Sequence, residues 1–290
     1  MKARNVAIVT GSSSGIGFET ALLLARNGFH TYASMRNLDK SKKIAEIANR
    51  ENLSLQVVEL DVNDDRSVKE AIGKIETEQE TVNVLVNNAG YLLIGPLEEL
   101  FIEEFKEQFE TNFFGVIRVI KAVLPIMRRQ RKEGGGGTIV NISSIAGRIG
   151  LPLNSPYVSS KFALEGLSES IAYELEQFGI KVVLIEPGVI KTSVANNLKI
   201  GKRVADNISS NLSNSPYADM TQKRITALKS RFEDGLAPTE VAKVILKAVK
   251  SENPDLRYVV GEDAFKLMDI RKNFSDKDFR RLVMERILHK

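Results

Sequence analysis

The stretch NVAIVTGSSSGIGFETALLLA, residues 5–25, joins a short apolar run to a helical pattern through a turn that holds Gly11, Gly15 and Gly17. The run NVAIVT (5–10) has the length and near-continuous apolarity of a buried parallel strand. After the turn, Ile16, Ala21, Leu24 and Ala25 fall on one helical face, and Gly28 marks a C-terminal stop. Free amide hydrogens at a helix N-terminus attract an anion, and glycine lets the backbone approach it closely. The spacing is G-x-x-x-G-x-G, so the strict G-x-G-x-x-G fingerprint does not match, but its setting of strand before and helix after does. A plain glycine-rich connection is the competing reading, and it leaves three glycines at this spacing unexplained.

Working outward, apolar β-rich runs alternate with helical patterns. TYASM (31–35), LQVVEL (55–60), VNVLVN (82–87), TIVNIS (138–143), IKVVLIEP (180–187) and RYVVG (257–261) read as further strands. Helices are expected at 39–50 and 65–80 and, as one long element kinked or broken at Pro125, at 98–132. Another is expected at 155–179, with Ser155 as N-cap and Pro156 at N1, and another at 239–250, with Thr239 as N-cap. This alternation implies parallel βαβ units and a sheet covered on both faces, an α/β fold. Residues 193–235 have few periodic apolar positions and read as a long irregular loop, the expected substrate-binding lid. Residues 262–290 read as an amphipathic, charged C-terminal helical extension. No repeat or linker divides the chain, so a single domain over 1–290 is expected.

Composition narrows the chemistry. The chain is 43% hydrophobic and 27% charged, values ordinary for a globular protein. It has no cysteine, which excludes disulfides, a thiol nucleophile and zinc–thiolate sites. Two histidines, His30 and His289, leave little room for a histidine-based metal site or triad, and no metal is expected. The net charge of +4 is mild, and runs such as MRRQRK (127–132) read as solvated helix ends, with no nucleic-acid partner expected. The opening apolar run is too short for a signal segment, and no stretch is long enough to span a bilayer. A soluble, cytoplasmic protein acting on a small molecule is the expectation.

Two further stretches carry chemistry. At the end of the second strand, YASMRNLDK (32–40) places Arg36 about twenty residues past the glycine turn, where an acidic residue would bind a ribose 2′-hydroxyl and an arginine a 2′-phosphate. NADP is therefore favoured over NAD, with Asp39 read as an N-terminal residue of the next helix. In SPYVSSKFALEG (155–166), Tyr157 and Lys161 stand at i and i+4, which puts both on one helical face. An ammonium beside a phenol favours the phenolate, so the pair is a candidate general acid/base. An ordinary helix surface is the competing reading.

With TGSSSGIG (10–17), NNAG (87–90), ISS (142–144), YVSSK (157–161) and PG (187–188) in this order, the chain resembles the short-chain dehydrogenase/reductases. YASMRNLDK and NNAGYLLIGPLEEL are similar to the retinol, steroid and carbonyl reductase branch. The resemblance implies a single Rossmann-type, doubly wound parallel sheet of about seven strands, a nicotinamide cofactor, and hydride transfer to or from a carbonyl. It implies that Tyr157 is the acid/base, Lys161 lowers its pKa and binds the nicotinamide ribose, and Ser144 hydrogen-bonds the carbonyl, with Ser143 the competing serine. Asn112, in ETNFFG, would hold a water of the proton relay. Around the cofactor it implies Gly11, Ser13, Ser14, Gly15, Ile16 and Gly17 on the phosphates, Asp61 and Val62 at the adenine, and Asn88, Ala89 and Gly90 at the adenosine ribose. Pro187, Gly188, Val189, Ile190 and Thr192 would lie at the nicotinamide. It suggests a homodimer or homotetramer.

The expected substrate is a lipophilic ketone, aldehyde or 3-oxoacyl compound, with Leu92, Leu93, Ile94, Ile145 and Leu151 as apolar lining. Two rivals remain: a sugar-nucleotide epimerase or dehydratase, whose turn is usually T-G-x-x-G-x-x-G, and a non-catalytic NADP-binding regulator.

Overall fold

The computed structural model describes residues 5–130, 136–191, 198–209 and 215–288. Seven strands form one parallel sheet: β1 (Val6–Val9), β2 (His30–Met35), β3 (Leu55–Glu59), β4 (Val84–Asn87), β6 (Gly137–Ile142), β7 (Ile180–Pro187) and β9 (Arg257–Val260). Their order is β3-β2-β1-β4-β6-β7-β9. The strand order reverses between β1 and β4, and in such sheets the crevice outside the carboxyl ends at that point is where ligands bind. Every residue of β1 and β4 is buried, as a central strand with both faces covered requires.

Helices α1 (Gly15–Arg26) and α2 (Lys42–Arg50) cover one face together with α9 (Pro238–Lys250), over a core that includes Val9, Leu22, Ile44, Val183 and Ile245. The other face carries α3 (Asp65–Gln79), α5 (Gly115–Arg129) and α6 (Ser155–Glu176), over Ile8, Ile75, Leu85, Val119 and Leu164. On α6, Leu175 is buried, and Leu167 and Ile171 pack against the core.

The helix expected at 98–132 is two helices. Between α4 (Ile102–Phe109) and α5 lies a π-turn, Glu110–Phe114, while Pro125 sits inside α5 without ending it. The break is set by packing at the turn. A Cβ on Gly115 would meet Val62 Cγ2 at 2.9 Å, and Asn112 is drawn inward to hydrogen-bond Tyr91. Helix α6 is capped one residue earlier than expected, by Asn154, so Pro156 is its second residue, where its missing N–H costs nothing. Helix α9 takes Pro238 as its first residue and Ala237 as N-cap, which leaves Thr239 inside the first turn.

Residues 193–235 are not a long irregular loop. Their described part contains β8 (Leu198–Ile200), α7 (Lys202–Ser209) and α8 (Ala218–Glu233), with β8 pairing in parallel with β5 (Leu92–Ile94). The buried face of α8 is Thr221, Arg224, Ile225 and Leu228, half of it polar, so no apolar period marks the helix in the sequence. The C-terminal extension is helical as expected, in α10 (Glu262–Asn273) and α11 (Asp276–Leu288), which with Ile145 and Ile149 close a third apolar cluster.

Candidate active site

The glycine turn folds as the sequence implies. Gly11 and Gly15 adopt φ of +68° and +60°, the left-handed region. At Gly17 any Cβ would collide with Asn88 Nδ2 and the Gly11 carbonyl. Ser14 caps α1 in extended conformation without a side-chain hydrogen bond, which leaves the first amides of the helix directed at the crevice. The turn is held on two sides. Ser12 N–H donates to Ser34 O on β2 at 2.8 Å. Asn88 Nδ2 donates to Thr10 O and Gly11 O at 2.8 and 3.1 Å, while Thr10 Oγ1 accepts from the amides of Asn88 and Ala89 at 2.9 and 3.0 Å. Ser13, Ser14 and Ile16 are half-buried on this cradle. These residues fit a dinucleotide pyrophosphate: glycines where a Cβ would fill the space, and helix amides facing it.

The remaining predicted cofactor residues converge on the same edge. Arg36 is exposed just past β2. Asp61 and Val62 follow β3. Asp61 Oδ1 accepts from Asn63 N–H at 3.0 Å, and the Val62 carbonyl accepts from Arg118. Gly90 leaves room for Asn112 Oδ1, 3.0 Å from where its Cβ would stand. Pro187, Gly188, Val189 and Ile190 follow β7, and Thr192 lies outside the described residues.

The catalytic candidates come from β6 and α6. A buried polar ladder fixes the register of α6 on the sheet: Asn87 Nδ2 donates to Asn141 Oδ1 at 2.9 Å, Asn141 Nδ2 to Ser168 Oγ at 2.9 Å, and Ser168 Oγ to Leu164 O at 2.7 Å. Lys161 Nζ adds a bond to Ile142 O at 2.7 Å and lies 5.7 Å from the centre of the Tyr157 ring. Ser144 is the serine beside Tyr157: its side chain opposes the rise that burial imposes on the phenol's pKa. It also accepts from Ala146 N–H at 3.1 Å. Ser143 turns away toward Gly147, and its buried hydroxyl has no partner. Asn112 is buried in the π-turn, accepts from Tyr91 N–H at 3.1 Å, and donates to Tyr91 O at 3.0 Å and Ser160 Oγ at 3.3 Å. That places it against the residue preceding Lys161.

The electrostatics correct one expectation. Burial pushes the Tyr157 phenol above its ordinary value, with Ser144 opposing. Burial also lowers Lys161 to about 8, with Glu165 one turn along α6 opposing. The sequence shows the ammonium beside the phenol but not the desolvation, which is the larger effect here.

Sequence reasoning missed Thr10, Asn141, Ser168 and Asp263. Asp263, in the first turn of α10, accepts from Val189 N–H at 2.9 Å, and its carboxylate fills the space where a Cβ on Gly188 would go. It therefore clamps the turn after β7. Thr10 stands in the TGSSSGIG motif but its hydroxyl bonds residues far along the chain, and the other three stand outside the motifs.

A glycine cradle at the switch point of a parallel sheet, with a Ser–Tyr–Lys set beside it, defines a nicotinamide-dependent oxidoreductase of the Rossmann type. The chain belongs to the short chain dehydrogenase family, whose model matches residues 5–203. It is 40% identical over 262 residues to the oxidoreductase YusZ of Bacillus subtilis, covering 89% of this chain and 90% of that one. It is 40% identical over 261 residues to retinol dehydrogenase 8 of Bos taurus (88% and 81%), and 35% identical over 277 residues to human 17-beta-hydroxysteroid dehydrogenase type 1 (93% and 81%). Among solved structures, a short-chain dehydrogenase of Streptomyces avermitilis superposes with a TM-score of 0.80 at 28% identity, over 97% of this chain and 96% of that one. Actinorhodin polyketide ketoreductase with NADPH superposes with 0.72 at 28% identity, over 90% and 97%.

Proposed function

We propose that this chain is an NADP(H)-dependent oxidoreductase that interconverts a lipophilic ketone, aldehyde or 3-oxoacyl compound and its alcohol. The observation that carries the reading is the meeting of Ser144, Tyr157 and Lys161 at the carboxyl edge of the sheet, next to the glycine cradle. When bound, the nicotinamide supplies or accepts the hydride. Ser144 donates a hydrogen bond to the substrate oxygen as negative charge develops there. Tyr157 gives that oxygen its proton, a contribution of roughly 10²–10⁴-fold. Burial keeps the phenol protonated, which has the proton in place for reduction at neutral pH. Lys161 holds a positive charge beside the tyrosinate left behind and favours it electrostatically. Lys161 also reaches the nicotinamide ribose, and Asn112 takes part in proton supply.

Around the cofactor, Gly11 to Gly17 hold the pyrophosphate, Asp61 and Val62 face the adenine, and Asn88 to Gly90 line the ribose. Pro187 to Ile190, with Thr192, take the nicotinamide. Arg36 supports NADP over NAD: among the described residues no acidic side chain pairs with it, so it is available for a 2′-phosphate. The names of the retinol and hydroxysteroid dehydrogenase relatives support a lipophilic substrate, as do Leu93 and Ile94, buried on β5 where it pairs with β8 of the lid. Phe162 and Tyr173, eleven residues apart and so on one face of α6, are 46% and 72% exposed, and Phe114 is exposed at the π-turn. They support self-association into a homodimer or homotetramer. Among the described residues no helix is long and apolar enough to cross a membrane, and we place the enzyme in the cytoplasm.

The test is Tyr157→Phe, assayed with NADPH and a panel of lipophilic carbonyls. Turnover should fall by at least two orders of magnitude while NADPH binding persists. Unchanged turnover would sink the assignment, and binding of NADPH without turnover in the wild type would favour the regulator.

A further inference from the structure

Arg224 has no role in the chemistry above. It projects from α8 into the protein, 2% exposed, and among the described residues its Nε and Nη1 have no hydrogen-bond partner. Nη2 has only a long contact, 3.5 Å to Asn154 Oδ1. Among the described residues no carboxylate pairs with it, and the charge that acts on it is that of Arg231, of the same sign. A buried charge is normally paired and hydrogen-bonded, because the interior does not replace the water it loses. A guanidinium carries five N–H donors and stays protonated in proteins. Burial lowers Arg224 only to about 10, so it is charged at neutral pH.

The surroundings point the same way. Thr221 lies one turn back on the same face of α8, 3% exposed, and its hydroxyl also lacks a partner among the described residues. Asn154, 2% exposed, is the N-cap residue of α6. Tyr157 follows three residues later, about 4.5 Å along the helix axis at 1.5 Å per residue. Leu153, just ahead of Asn154, is held at φ +62°, a conformation a bulky side chain adopts only where its surroundings enforce it. The lid helix thus brings an unneutralised cation and a free hydroxyl to the start of the helix that carries the acid/base. Ile225 and Leu228 beside them keep the wall apolar.

We propose that Arg224, assisted by Thr221, binds a carboxylate of the substrate, which makes the preferred substrate an oxo acid with an apolar body. The inference rests on the reading of Tyr157 as the acid/base and adds a second anchor to it. Carboxylate is favoured over phosphate because a single cation stands there, beside Asn154: one charge for one charge.

The test separates the anchor from the reaction. Calorimetry with decanoate and with decanamide, its uncharged isostere, reads the anchor without turnover. The wild type should bind decanoate at least tenfold more tightly than decanamide. Arg224→Gln should abolish that preference, and Arg224→Lys should keep part of it. In parallel, kcat/KM for 5-oxodecanoate should exceed that for its methyl ester in the wild type, and the ratio should collapse in Arg224→Gln through KM. Equal affinity of the wild type for acid and amide would overturn the proposal, and so would an undiminished preference in Arg224→Gln. If Arg224→Gln does not fold, the wild-type ratio decides alone. Displacement of decanoate by millimolar inorganic phosphate would overturn the carboxylate assignment. Preference for decanoate without turnover of any carbonyl would remove the reaction and leave the anion site standing.

Discussion

Lys161 Nζ donates to the Ile142 carbonyl at 2.7 Å and stands 5.7 Å from the centre of the Tyr157 ring, one turn back on the same helix. The carbonyl at the end of β6 fixes where the cation sits, so the helix and the sheet together set its relation to the phenol. Burial makes the arrangement costly, since Lys161 falls from 10.5 to about 8. At ~1.4 kcal/mol per pH unit the buried cation costs roughly 3 kcal/mol of fold stability. The folded-state value is depressed for a base, so this penalty is present in full below pH 8 and is relieved as pH rises from 8 toward 10.5. Lys161→Met should therefore be inactive, and its melting temperature relative to wild type should be higher at pH 7 than at pH 10. Parallel melting curves for the two proteins across that range would contradict the assignment of a buried charge at position 161.

What could be read from the sequence follows the distance between partners. Strand, glycine turn and helix are contiguous in residues 5–25, and Tyr157 and Lys161 are four apart, so local periodicity exposes them. Asp263 and Val189 are 74 residues apart, Thr10 and Asn88 78, and Asn87 and Asn141 54. No local pattern marks those pairs, since only the closed sheet brings them together. Helix α8 escapes the sequence pattern for a different reason: half of its buried face is polar, and Arg224 is one of those residues. At Tyr157 the sequence points to a lowered phenol because a neighbouring charge is visible in a sequence and desolvation is not.

The packing of Gly17 gives a second prediction. Gly17→Ala puts a methyl group against Asn88 Nδ2 and the Gly11 carbonyl. Overpacking of this kind costs about 1–3 kcal/mol. The Asn88 amide can move but the Gly11 backbone cannot, so adding Asn88→Ala should restore little. Nucleotide titration should show cofactor affinity reduced at least tenfold in both the single and the double variant. Full recovery in the double variant would mean that Asn88 alone requires the glycine.

Asp263 is the clamp on the turn after β7. Asp263→Ala removes the acceptor of the Val189 amide and a negative charge from the first turn of α10. The loss of a charge-assisted bond is worth about 1.5–3 kcal/mol, part of it recovered by water at this exposed position. KM for the cofactor should rise several-fold, with kcat falling less, while Asp263→Asn, which keeps an acceptor, should lie between the two. Steady-state kinetics of the three proteins tests this, and a fall in kcat alone would place Asp263 in the chemistry instead.

On the proposed reading, Arg36 sets the choice between the two dinucleotides. It stands just past β2, and the neighbouring Ser34 carbonyl holds the glycine turn through the Ser12 amide at 2.8 Å. The Arg36 side chain is itself exposed. A hydrogen bond to a charged group contributes about 1.5–3 kcal/mol, or roughly 10–100-fold in affinity. Only a cofactor with a 2′-phosphate can use it, so Arg36→Ala should raise KM for NADPH by that factor and leave KM for NADH unchanged. Placing an acid there, Arg36→Asp, should go further, repelling the phosphate and offering the free ribose hydroxyls an acceptor, so the preference should invert. Competitive titration of the two reduced cofactors against each variant reads the change directly. If both cofactors weaken equally in Arg36→Ala, the residue serves the turn and not the 2′-phosphate, and the basis for preferring NADP is gone.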